Sequence, residues 1–217
     1  MVEKWKIAIL WLLLTALLII TGCATTYTFH VDYQTTGEPR RLIPEDKNLV
    51  LFLGPVAGTS DKLWYRIGKY EWFLDESPVS LVEKGLSRAL QRMGITPTSH
   101  PSRAQGRLEA EIRWFGPYGP YYRTAAIIIS LTLYSGNEKE PLWQVRLRGG
   151  SHSNDVVFTP SGVKSTAGKA VSEALSQALR QLRWKPDFFH ALSLLSLESA
   201  TTGKTGDMRK APERGHE

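Results

Sequence analysis

The sequence holds one cysteine and five histidines among 217 residues, so thiol, metal and acid–base chemistry rest on few positions. Cys23 has no second cysteine to pair with. That excludes an intrachain disulfide and any multi-cysteine zinc or iron–sulfur set. His30, His100, His152, His190 and His216 are too scattered for a local ligand motif, and His-Glu-x-x-His is absent. His152 stands near Ser151 and Asp155, the residue types of a hydrolytic triad. Neighbours in one loop usually point apart, however, and no Gly-x-Ser-x-Gly elbow is present. The stretch 149–155 therefore reads as a polar loop after a strand, with a hydrolase as the remote alternative. Two near-matches to a phosphate loop fail. Gly162 and Gly168-Lys169 are separated by five residues instead of four, with Ala170 where Ser or Thr is needed, and Gly203-Lys204-Thr205 has Glu198 in place of its upstream glycine. The acid pairs Asp75-Glu76 and Glu109/Glu111 suit a helix N-terminus and the wet face of a strand. No catalytic residue, metal site or cofactor is expected.

Aromatic side chains stand out instead. Residues 63–73 carry Trp64, Tyr65, Tyr70, Trp72 and Phe73, and read as rings closing the end of a core. Residues 115–122 are punctuated by Gly116, Pro117, Gly119 and Pro120 and hold Phe115, Tyr118, Tyr121 and Tyr122 between Arg113 and Arg123. Glycine and proline hold such a segment out as a surface turn. Tyr and Arg are enriched at binding hot spots. Arg113, Tyr118, Tyr121, Tyr122 and Arg123 are thus the candidate partner-binding residues. The net charge of +6 is spread through the chain, so no nucleic-acid stripe is expected.

The elements that must position these residues follow from hydrophobic period. Tyr27, Phe29, Val31 and Tyr33 alternate as one face of a strand. Leu49–Leu53 is a short buried strand ending at Gly54-Pro55. Ser77 and Pro78 cap a helix with its stripe at Val82, Leu86, Ala89, Leu90 and Met93, and Gly94 stops it. Gly85 inside that helix marks a close approach to the sheet. Leu108, Ala110, Ile112 and Trp114 alternate with charged residues. Residues 124–134 form a β-rich run, and 142–148 alternate again with Trp143, Val145 and Leu147 inward. Ser165 caps a second helix with apolar positions from Ala167 to Leu182, stopped by Pro186, and 188–197 add a short helix or irregular segment. The expected fold is α+β: a two-layer sandwich, β-α-β-β-β-α, with a mainly antiparallel sheet and helices on one face.

The first 23 residues carry an address. Lys4 and Lys6 precede an unbroken apolar run from Ile7 to Ile20. As a helix it spans about 21 Å, short of a comfortable bilayer crossing and suited to a signal-peptide core. Ile20-Thr21-Gly22-Cys23 follows and resembles the lipobox of bacterial lipoproteins. The resemblance implies cleavage after residue 22, acylation of Cys23, and a membrane anchor of several chains. With Ala24 rather than Asp next, it implies the periplasmic face of the outer membrane, or the outer face of the cytoplasmic membrane in a Gram-positive source. The element order over roughly 45–185 resembles that of the YajG-like lipoproteins and of the auxiliary lipoproteins of ABC-type transport systems.

The expected organisation is a signal peptide at 1–22, a lipidated N-terminus with strand and linker at 23–47, one α+β domain at 48–198, and a disordered tail at 199–217. The function expected of it is that of a lipid-anchored, non-enzymatic accessory or binding protein of the cell envelope, with an envelope protein or glycan as partner. The alternative is an auxiliary subunit of a transport complex.

Overall fold

The computed structural model describes residues 24–33, 43, 48–118, 123–136, 138–152 and 159–207, with side chains described as far as 197. The expected signal peptide and Cys23 lie outside the described residues, as do the linker apart from Ile43, and 208–217. The strands are β1 (Thr25–Phe29), β2 (Leu49–Leu53), β3 (Leu63–Ile67), β4 (Tyr70–Leu74), β5 (Ile95–Thr98), β6 (Gly106–Gly116), β7 (Thr124–Ser135) and β8 (Pro141–His152). The α-helices are α1 (Pro78–Arg92), α2 (Pro160–Arg180) and α3 (Pro186–Asp207).

The strands form two sheets. A five-stranded sheet has the order β5-β2-β6-β7-β8, and a three-stranded sheet has the order β1-β4-β3. In the larger sheet β6, β7 and β8 are antiparallel, while β2 runs parallel to both β5 and β6. One of its faces carries Leu108, Ala110, Ile112, Ile127, Ile129, Leu131, Leu133 and Leu147, all buried beneath the helices. The other carries Arg107, Glu109, Glu111, Gln144, Arg146 and Arg148 toward solvent. Period-two alternation produces this split, as expected for a sheet with one dry face.

The helix α1 forms as its sequence reads. The Ser77 hydroxyl accepts the Ser80 amide at 3.2 Å, Pro78 occupies the first turn, and Gly94 leaves the helix at φ +82°. Gly85 marks a close approach, but to α2 and not to the sheet: a Cβ there would lie 2.9 Å from Leu179 Cδ1. The N-terminus of α2 is also earlier than expected. Thr159, not Ser165, is the N-cap, its hydroxyl accepting the Gly162 amide at 3.2 Å. Thr159-Pro160 repeats the cap-and-proline pair that starts α1. A 3-10 turn at Gln181–Trp184 separates α2 from α3. Phe188, Leu192 and Leu195 bury one side of α3 against the sheet. The α3 backbone then runs on to Asp207, into the segment where composition predicts a tail. Propagating a helix from a packed turn is far cheaper than nucleating one.

The strand β8 is longer than its hydrophobic alternation. Gly149, Gly150, Ser151 and His152, expected as a loop, continue its pairing with β7. Helix α2 crosses here at such close range that a Cβ on Gly149 would sit 1.8 Å from the Ala174 carbonyl oxygen. The alanines 167, 170, 174 and 178 are the matching small face of the helix.

Candidate functional site

Three places could carry function: the β6–β7 turn, the junction of β1 with α1 and α2, and the tip of the three-stranded sheet. At the first, Thr124 pins the turn: its hydroxyl accepts the Tyr118 amide at 3.0 Å and donates to the Tyr118 carbonyl. The Tyr118 side chain is 71% exposed. Arg123 is half-buried at the end of the turn, and Tyr121 and Tyr122 lie outside the described residues. Arg113 bonds Glu111 at 2.7 Å and donates from Nε to Ser130 Oγ at 3.3 Å, within a charged row on the open face. Phe115 is a strand residue packed edge-on against Trp64 at 6.1 Å, so it belongs to the core and not to the turn.

Trp114 departs from its expected inward position and is 52% exposed. The β6–β7 register shifts between Ile112 and Trp114. The extra residue moves Trp114 to the open face, opposite Ile128, and turns Phe115 inward. A single bulge thereby exchanges the roles of two neighbouring rings.

At the second place, His30 Nδ1 bonds the Asp75 carboxylate across the ends of β1 and β4. That hydrogen bond and the Asp75 charge hold His30 above the ordinary histidine pKa. The other Asp75 oxygen accepts the Glu76 amide at 2.8 Å. Lys84 donates to Glu76 at 2.7 Å and Ser80 at 3.1 Å, which holds the Glu76 carboxyl below the usual carboxylate range. Beside His30 an open groove of about 590 Å³ runs along α2, lined by Asp32, Ser165, Lys169, Ser172 and Glu173. Sequence reasoning missed this pair. Its members are 45 residues apart, and only the parallel pairing of β1 with β4 brings them together.

The Ser151–His152 combination does not converge. The two side chains project from opposite faces of β8, and the Ser151 hydroxyl bonds Glu173 of α2. Asp155 lies outside the described residues. Among the described residues no group of three or more His, Cys, Asp or Glu side chains is placed to hold a metal ion.

The third place is the β3–β4 hairpin, read from sequence only as an aromatic segment. Trp64 and Trp72 are buried, as expected of rings closing a core. Tyr27 stacks on Trp72 at 5.6 Å, and Tyr65 lies 5.9 Å from it. At the turn, Ile67 is 55% and Tyr70 is 39% exposed. The hairpin had a legible signal: two five-residue strands about Gly68-Lys69, with glycine first as a type II′ turn requires. Gly68 takes φ +56°.

No family model matches the chain and no curated relative is found. Solved structures show a loose likeness in fold. A DUF330-family protein from Xanthomonas campestris is 15% identical, with a TM-score of 0.49 over 84% of this chain and 99% of its own. A candidate lipoprotein from Caulobacter crescentus is 13% identical, with a TM-score of 0.39 over 53% of this chain and 83% of its own. A minor lipoprotein from Acinetobacter baumannii is 12% identical, with a TM-score of 0.32 over 61% and 91%. Among the described residues no helix is long and apolar enough to cross a membrane.

Proposed function

We propose that this is a lipid-anchored, non-enzymatic accessory protein of the bacterial envelope. Residues 1–22 are removed, Cys23 is acylated, and the body is held at the periplasmic face of the outer membrane. There it binds an envelope protein or glycan. The observation that carries the reading is the position of the chain's one cysteine, at the end of the apolar run 7–20 and behind Thr21-Gly22. Acylation also removes the free thiol from an oxidising compartment. The binding limb is supported by Tyr118, a large ring left exposed on a turn whose backbone is held by Thr124. In the sequence Tyr121 and Tyr122 follow within the same segment, which Arg113 and Arg123 flank. The polar groups of a type used in catalysis have structural work: Asp75 ties β1 to β4, and Glu173 ties α2 to β8.

One preparation tests both limbs. Protein extracted from membranes should lack residues 1–22 and carry acyl mass, and Cys23→Ala should abolish both changes. With Tyr118, Tyr121 and Tyr122 replaced by Ser, the acylated protein should keep its thermal midpoint and fail to capture its envelope partner. An unmodified full-length mass defeats the anchoring limb. Unchanged capture, or loss of the fold, defeats the binding limb.

A further inference from the structure

We infer that the tip of the β3–β4 hairpin is a membrane-contact surface, seated in the headgroup region of the bilayer that holds the Cys23 lipid. The inference rests on the acylation of Cys23 proposed above and adds where the folded body meets the lipid. Its first support is covalent. Cys23 is two residues ahead of Thr25, a span of at most about 7 Å. Thr25 is no loose end. Its amide donates to the Lys69 carbonyl at 2.7 Å, and its Cα pairs with that of Tyr70 in the parallel β1–β4 ladder. The lipid attachment point and the hairpin turn therefore leave the body at the same place. Stacked sheets stand about 10 Å apart, farther than this leash reaches, so the tip is held close to the bilayer.

The second support is the chemistry of the tip. Ile67 and Tyr70 are directly opposed in the β3–β4 register, so they share a face. Followed inward, that face continues through Trp72 and Tyr27 to Leu74 and Phe29, which are buried. Followed outward, it ends in an aliphatic side chain and a phenol that are both exposed, about a turn with nothing within 4 Å of where a Gly68 Cβ would stand. Tyrosine sits well at the headgroup level, with its ring against acyl carbon and its hydroxyl wet. Cations border the face: the Lys69 ammonium lies 5.6 Å from the Tyr70 ring, and Lys164, in the first turns of α2, lies 5.5 Å from the Tyr27 ring. Lysines so placed keep their stems on apolar surface while their ammonium groups meet lipid phosphates.

The test uses the full chain, acylated in cells and reconstituted in vesicles of phosphatidylethanolamine and phosphatidylglycerol. Acylation consumes Cys23, so a nitroxide can be placed singly through Lys69→Cys at the tip or Glu140→Cys in the β7–β8 turn. Both side chains are exposed. Collision with a water-soluble nickel relaxer should be about threefold or more weaker at the tip than at position 140, because interfacial segments sit below the reach of aqueous reagents. The intact mass of the same sample separates the failures. Acyl mass with equal collision at both sites overturns the membrane contact and leaves the anchor standing. Absence of acyl mass overturns both. Protection found in native membranes but lost in vesicles assigns the tip to a protein partner and also overturns the inference.

Discussion

The two sheets treat apolar side chains differently. In the five-stranded sheet the dry face ends where its cover ends: Ile127, Ile129, Leu131 and Leu133 are fully buried under the helices. In the three-stranded sheet the apolar face outruns its cover, from buried Leu74 and Phe29, past Trp72, to Ile67 and Tyr70 in the open. A side chain covered by its own chain is explained by folding. One left uncovered at the end of a continuous apolar face is better explained by something the fold does not supply. The contrast therefore separates a scaffold from the surface we propose to meet the membrane.

The strongest way to break the scaffold side is at Gly149, where β8 and α2 touch. Any Cβ would overlap the Ala174 carbonyl. A valine there must push the helix off the sheet, and overpacking against backbone exceeds the usual range of about 1–3 kcal/mol. Gly149→Val should abolish cooperative unfolding, as read by circular dichroism on heating. A folded variant within a few degrees of the parent would show that α2 is not locked to β8.

The comparison itself is sharpened by making one substitution in both sheets. Ile129→Ala removes a fully buried side chain of β7 and should cost about 2–5 kcal/mol. Ile67→Ala removes the exposed side chain at the hairpin tip and should stay within about 0.5 kcal/mol. Chemical denaturation of the two variants measures both. If Ile67→Ala approached Ile129→Ala, the tip would be part of the core, and its exposure would need no partner.

Much of the scaffold is legible from periodicity, because burial and alternation are the same fact read in two ways. β2, β6, β7 and α1 follow directly, including the Ser77-Pro78 start. What escapes is set by contacts that hydrophobic period does not encode. The Gly149-Gly150 pair reads as loop until α2 is placed against it, and only then do the alanines of α2 explain why the strand there lacks side chains. The β6 bulge is equally silent: the alternation through Ile112 puts Trp114 inside, and one extra residue puts it outside. β5 contains Pro97, which argues against a strand, yet it is tolerated because, among the described residues, β5 lies at the sheet edge and pairs with β2 alone. Of the candidate binding residues, Tyr118 is exposed as its turn chemistry predicts. Arg113 is tied into the charged row by Glu111 and Ser130, partners that become visible only once the register of β6 and β7 is known.

The smallest expected effect concerns the seam between the three-stranded sheet and the helices. His30 and Asp75 join β1 to the end of β4, where the Asp75 amide also donates to the Phe29 carbonyl at 3.0 Å. The Asp75 carboxylate raises the His30 pKa, so the folded state binds this proton more tightly than the unfolded chain does. The contribution to stability is therefore fully present below the unfolded histidine value of about 6.5. It is lost as pH rises through the higher folded value. The His30 side chain is 66% exposed, so solvent and salt screening hold the gain to a few tenths of a kcal/mol and no more than about 1. The thermal midpoints of the parent and His30→Gln should differ most near pH 5.5, converge as the pH rises past the folded value, and converge sooner in high salt. A difference that widened with pH would mean that neutral His30 is the stabilising form. The contact would then be a hydrogen bond donated by the neutral imidazole, with nothing gained from its protonation.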